Sequence, residues 1–201
     1  MRMLKGFFVF GLLLTTLTRC ATLPAPQTPQ NEKLSWDSRA QTLSNIQHWD
    51  LKAQMAIRTQ KEAESVSLRW QQNKQNYAID LFGPLGAQSY LLTGSPNHVV
   101  MTQPNGKKIS ATSAEALLIQ QTGWNLPVSY LKYWVRGIPV PGLPAVKQYD
   151  SFHHLTELSQ AGWRIQFLRY TAADHLDLPS KIFLHRPEIT VKMIISEWQL
   201  H

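Results

Sequence analysis

Cys20 is the single thiol of the chain, and His153 and His154 are its single adjacent pair of imidazoles. Nucleophilic or metal chemistry would have to start from groups such as these. A lone cysteine forms neither an internal disulfide nor a multi-cysteine metal site. Neighbouring histidines on a strand point to opposite faces and do not converge on one ion, so His153 and His154 read as surface or rim residues. The carboxylates are scattered, and Asp80 falls into simple polar alternation. Gly94-Ser95 belongs to a hairpin-like TGSPN and not to a GxSxG elbow. There is no HExxH and no phosphate-cradling glycine loop. No catalytic residue, metal ligand or cofactor is assigned from the sequence. A dyad assembled from distant residues leaves no local motif and stays open.

Cys20 has a different use. Arg2 and Lys5 form a positive n-region and residues 6–14 a short apolar run, the layout of a secretory signal peptide over residues 1–19. The run is too short for an ordinary membrane span. Leu17-Thr18-Arg19-Cys20 then sits where a bacterial lipobox ends, with Arg19 where the pattern has a small residue. Position and solitude together mark Cys20 as a lipidation site. Residues 21–33, ATLPAPQTPQNEK, hold three prolines and few apolar side chains, as a tether would. The chain thus divides into a signal peptide at 1–19, a lipidated cysteine and tether at 20–34, and one domain at 35–201. Removing the signal takes away Arg2, Lys5 and Arg19 and no acid, so the formal charge falls from +7 to +4. That mild, unclustered charge argues against a nucleic-acid surface.

The elements of the domain follow from periodicity. Residues 35–47 place Trp36, Ala40, Leu43 and Ile46 on one helical face behind a Ser35 cap. Period-two alternation follows at Trp49, Leu51, Ala53, Met55 and Ile57, then at Val66, Leu68 and Trp70, then at Tyr77, Ile79 and Leu81. Strands AQSYLLTG, HVVMTQ and KKISAT complete the first half, with Asn105-Gly106 as a hairpin turn. Two helices come next, TSAEALLIQQTG ending at Gly123 and VSYLKYWVRG after Pro127. The sheet resumes with HHLTELSQ, GWRIQFLRY, KIFLHRP and EITVKMIISEWQL. The expected fold is α+β, mainly β: one curved antiparallel sheet that closes or nearly closes, with helices covering whatever apolar face is left open.

What the sequence offers in place of an active site is apolar. Trp49, Trp70, Trp163 and Trp198 lie on or at the end of strands, and Trp134 on the second inserted helix. Such residues, with Leu51, Met55 and Ile79, either fill a solid core or line a cavity for acyl chains. Composition does not separate the two. One further oddity is the turn Gly83-Pro84-Leu85-Gly86, which puts a leucine among turn formers.

Motif order brings a resemblance. The run from the lipobox and tether through WQQ at 70–72 and NYAIDLFGPLGAQSYLL resembles the LolB family of outer-membrane lipoprotein receptors. The segment TSAEALLIQQTGWNLPVSYLKYWVRGIP is similar to that family's helical segment, with the W-x-x-G-[IL]-P ending at Trp134 to Pro139. GWRIQF and EITVKMIISEWQL also fit, so the resemblance runs through most of residues 36–200, with a divergent stretch at 140–162.

The resemblance implies an unclosed barrel with a helical lid around a hydrophobic cavity. It implies a protein anchored to the periplasmic face of the outer membrane, which takes lipoproteins from a LolA-like carrier and inserts them into outer-membrane lipid. It also implies that Gly83, Pro84, Leu85 and Gly86 form a membrane-insertion loop. Ala21 and Thr22 after Cys20, with no Asp there, suit outer-membrane export. Lys52, Arg58 and Arg69 are candidates for meeting the carrier, and a one-to-one handover needs only a monomer. The alternative is a lipid or glycolipid carrier of similar fold; an envelope hydrolase or a solid-cored structural lipoprotein are further rivals.

Overall fold

The computed structural model describes residues 34–83 and 89–201; Cys20, Pro84, Leu85 and Gly86 lie outside them. Its helices are α1 (Trp36–Asn45), α2 (Ala114–Thr122) and α3 (Val128–Trp134). The first run of strands is β1 (His48–Thr59), β2 (Ala63–Asn73), β3 (Asn76–Phe82), β4 (Tyr90–Ser95), β5 (His98–Thr102) and β6 (Lys108–Ala111). The second is β7 (Ala145–Tyr149), β8 (Leu155–Gln160), β9 (Trp163–Ala173), β10 (Leu176–Arg186) and β11 (Ile189–Leu200).

All eleven form one antiparallel sheet in the order β6-β5-β4-β3-β2-β1-β11-β10-β9-β8-β7. The first and last strands pair at its centre, and β6 and β7 are left as edges. The chain passes between those edges through α2 and α3. The fold is therefore an unclosed barrel, and the helices occupy the gap that strand pairing leaves.

Local chemistry sets the helix ends. The Ser35 and Ser113 hydroxyls accept the backbone N–H groups of Ser38 and Ala116, each three residues on. Gly123 stops α2 at φ 74°, a left-handed conformation open to glycine. Glu115, in the first turn of α2, accepts the Ser129 N–H at 2.8 Å, so one helix supplies the cap of the next. Gly94 is required for another reason: a Cβ there would lie 2.1 Å from the Tyr77 ring on the neighbouring strand.

One buried cation ties the N-terminal helix to the rest, and a second lies within it. The Arg136 guanidinium, just beyond α3, donates to the carbonyls of Leu43 and Ile46 at 2.9 and 2.8 Å, and to Lys132 O at 2.9 Å. It thereby caps the negative C-terminal end of α1. Burial pulls its pKa down to about 10, against a smaller opposing effect of Tyr133, so it remains charged at neutral pH. Arg39, in α1, lies 4.0 Å from Asp177 of β10.

Asp177 also meets His154, whose second ring nitrogen faces Asp150 at 2.9 Å, and the imidazole stacks on Tyr170 at 4.3 Å. Burial raises the Tyr170 phenol well above its usual range. His154 is thus 1% exposed, and the reading of both histidines as surface or rim residues fails for it. The pair lies in the turn before β8, not on a strand, and His153 has φ 60°. The sequence also gave no sign of β7. An edge strand exposed on nearly every residue shows no alternation. β10 starts earlier than its KIFLHRP core and carries Pro179, tolerated beside a register shift.

Asp150 titrates below its ordinary 3.8: burial raises it, but the hydrogen bonds and charge of His154 and the Phe152 N–H outweigh that. A depressed carboxylate adds stability that is present above its unfolded pKa and is lost as the pH falls through the folded value. Asp150→Asn is therefore expected to unfold at lower urea than wild type at neutral pH. The gap should close as the pH drops below 3.8. Urea titrations across that range check it.

Candidate functional site

The candidate site is the inward face of the sheet and the lid above it. Hydrogen-bond register turns strand alternation into rows that run across the barrel. Trp198, Leu51, Trp70, Ile79, Leu92 and Met101 are successive cross-strand partners from β11 to β5. A second row joins Val66, Met55, Met193, Ile182 and Phe167 from β2 to β9. Five of the candidate cavity residues, Trp49, Leu51, Trp70, Ile79 and Trp198, therefore meet by pairing or by ring contact, and Met55 lies in the second row. Trp49 lies 5.3 Å from Trp70 and 5.5 Å from Trp198, ring to ring.

The lid supplies the opposite wall. Ala114, Leu117 and Leu118 of α2, and Val128, Leu131 and Trp134 of α3, are buried in the same cluster as the rows. Trp134 is fully buried and lies 6.2 Å from Trp163 and 5.7 Å from Tyr130. Of the eight sequence candidates, seven are buried and Trp198 is half-buried, where its N–H donates to Pro179 O. In this conformation side chains occupy the interior: Leu92, Met101, Trp134 and Met193 expose none of their surface. Each large apolar side chain so buried is worth ~1.5–3 kcal/mol.

Among the buried polar side chains, Gln72 and Gln160 serve aromatic N–H groups and the lid. Trp70 donates to Gln72, whose amide turns back to the Lys74 and Asn76 carbonyls. Gln160, at the end of β8, is the lid's main fastening. Its amide oxygen accepts the Trp134 indole N–H at 3.0 Å and the Val140 N–H at 2.8 Å. Its NH₂ donates to the carbonyls of Val140 and Leu143. Neither Gln160 nor Arg136 stood out in the sequence. The one hint for Arg136 was its place inside the W-x-x-G-[IL]-P ending.

The other candidates fall outside this interior or outside the described residues. Of the loop only Gly83 is described, and it borders a cleft with Leu81, Tyr90 and Trp124 at the seam between sheet and lid. Asp80 accepts the Ser89 hydroxyl across the base of that loop. Lys52 and Arg69 are cross-strand partners on the outer face, the first paired with Glu197 at 2.7 Å and the second over the Phe82 ring; Arg58 is exposed. Among the described residues no group of three His, Cys, Asp or Glu could hold a metal ion, and no helix is long and apolar enough to cross a membrane.

An unclosed antiparallel sheet folded over an apolar interior and roofed by helices defines a LolA-like class of fold. A LolA superfamily protein from Nitrosomonas europaea shares it, with a TM-score of 0.53 over 84% of this chain and 94% of that one, at 9% identity. A DUF1329 family protein from Desulfovibrio piger does so with a TM-score of 0.55 over 82% and 91%, at 10% identity. Sequence narrows the class. The family model described as Outer membrane lipoprotein LolB matches residues 47–198. Outer-membrane lipoprotein LolB of Nitrosococcus oceani is 41% identical over 188 residues, 93% of this chain and 94% of the relative. The protein of that name from Pseudomonas syringae pv. syringae is 36% identical over 198 residues, 98% and 96% of the two chains. The chain belongs to the LolB family.

Gln160→Leu is expected to destabilise the domain by roughly 2–4 kcal/mol, because it leaves the Trp134 and Val140 N–H groups buried without acceptors. Urea unfolding measures the loss. Hydrogen exchange should speed up at Val140 well before it does on the central strands β1 and β11.

Proposed function

We propose that this protein is an outer-membrane-anchored receptor that accepts lipoproteins from a LolA-like periplasmic carrier and inserts them into the outer membrane. The observation that carries the reading is the pair of apolar rows under a lid fastened by few polar groups. Acyl chains need such a surface, since each buried CH₂ is worth about 0.8 kcal/mol and several chains cannot cross water freely. The interior is filled in this conformation, so cargo enters by displacing the lid and the side chains beneath it. Trp49, Leu51, Met55, Trp70, Ile79, Trp134, Trp163 and Trp198 then form the acyl-binding wall, with methionine adapting to chains of different length. Direction comes from stepwise differences in affinity, without nucleotide and without a catalytic step.

Cys20 is the anchor of this receptor, and Leu85, with Gly83, Pro84 and Gly86, is its membrane-touching tip. Inserting one leucine into the headgroup region gains ~1.5–3 kcal/mol. That is too little to hold a domain but enough to orient a tethered one. The tether's reach is compatible with this. The α1 helix leads into β1 at His48, and β3 runs from the His48 end of β1 to Phe82, opposite Ser67 and thus level with Gln54. Fourteen residues, 21–34, extend to ~46–50 Å, and the twelve of β1 to ~40 Å, so anchor and tip can reach one bilayer. One protomer suffices for each transfer.

The test follows a radiolabelled lipoprotein from its carrier to this protein and on to liposomes, without nucleotide, for wild type and Leu85→Glu. The reading expects both proteins to take up label and the variant alone to fail in delivery. A wild-type protein that takes up no label would overturn the receptor reading. A Leu85→Glu protein that delivers at the wild-type rate would remove the tip's role.

A further inference from the structure

A cleft of about 460 Å³ lies where the start of β2, the end of β3, the start of β4 and the C-terminal end of α2 meet. Its apolar walls are Val66, Leu81, Tyr90 and Trp124. Its charged groups are Glu62 and Glu64, both exposed, and neither has a cationic partner among the described residues. Among the described residues no basic side chain lines it; Lys61 is the nearest along the chain. The α2 helix presents its C-terminal end here through Gln121 and Thr122, adding the partial negative charge of its last carbonyls. Three sources of negative potential thus stand at the seam where lid and sheet part.

Trp124 adds the complementary observation. It is 3% exposed, and its indole N–H has no acceptor among the described residues. The neighbouring Thr122 hydroxyl donates to Leu118 O and accepts the Trp124 backbone N–H, but it makes no bond to the indole. The indole N–H groups of Trp70, Trp134 and Trp198 each have an acceptor. A buried donor left without an acceptor is uncommon in folded proteins and calls for an acceptor from elsewhere.

Resting on the receptor reading, we propose that this cleft is a headgroup filter at the entrance to the interior. It admits a neutral diacylglyceryl group, whose acyl ester carbonyl accepts the Trp124 N–H once the seam opens, and it turns away lipids that carry a phosphate. A phosphate would be brought against two carboxylates and a helix C-terminus with no cation lining the cleft. A glyceryl ester carries no charge to repel and supplies the missing acceptor. A receptor that works beside a bilayer needs this distinction, because phospholipid chains are chemically the same as those of its cargo and far more abundant.

The experiment uses the full-length protein in non-ionic detergent micelles and reads quenching of its tryptophan fluorescence. The probes are a chain-brominated diacylglycerol, the phosphatidic acid with the same chains, and the dialkyl ether of the same glycerol. Wild type is expected to prefer the diacylglycerol over the phosphatidic acid by about tenfold, as ~1.4 kcal/mol of repulsion would give. In the Glu62→Gln/Glu64→Gln double variant, both sites being exposed, that preference should fall below about threefold, with diacylglycerol affinity unchanged. Wild type should also prefer ester over ether, and Trp124→Phe should lose that preference while binding both. A misfolded variant would bind neither, so the ratio isolates the N–H from the fold. Equal wild-type affinity for diacylglycerol and phosphatidic acid, or a preference unmoved in the double variant, overturns the filter and leaves the receptor reading standing. Quenching by none of the probes in wild type overturns both.

Discussion

An antiparallel sheet with one apolar face has to put that face somewhere, and eleven strands that do not meet cannot do it by pairing alone. The edges β6 and β7 stay apart, so the concave face is left open along a gap. The chain fills the gap with the segment that links those two edges. Much of the rest follows from this. The lid helices are short because they span a gap and do not form a bundle of their own. They are apolar toward the sheet because that is the surface they replace. They are fastened at discrete points, Gln160 and Arg136, because a helix lying on apolar rows gains no directional bond from them.

The distribution of polar contacts gives the molecule a firm side and a loose side. On the firm side, α1 is held by the Arg136 guanidinium and approached by the Arg39–Asp177–His154 group. On the loose side, around the end of α2, the seam has the Gln103–Gln121 contact and an indole N–H without a partner. Opening at that seam exposes fewer satisfied bonds than opening near Arg136.

Legibility followed the distance over which each feature is determined. Trp49 to Ile57 alternate within one strand, so their shared face could be read without coordinates, and seven of the eight interior candidates are buried. The Ser35, Ser113 and Gly123 signals act within one turn, and the helix ends fall where they predict. The strand β7 was invisible because nothing buries its side chains in alternation. His154 was misread because its partners Asp150 and Asp177 come together only when the turn before β8 packs on β10. Gln160 meets the lid across 17 to 26 positions, and Arg136 meets α1 across 90 or more. No local pattern encodes such pairs.

From its own residue order, then, this protein determines which side chains face inward and where helices start and stop. These depend on neighbours within a few residues: the pleat's period of two, the helix's period of 3.6 and the reach of a capping hydroxyl. Tertiary structure decided that the barrel stays open, that α2 and α3 bridge the two edges, and that one indole at the seam is left without an acceptor. Those outcomes depend on twist and register shifts accumulated over all eleven strands, such as the shifts beside Lys52 and Pro179, and each strand alone carries only a fraction of them.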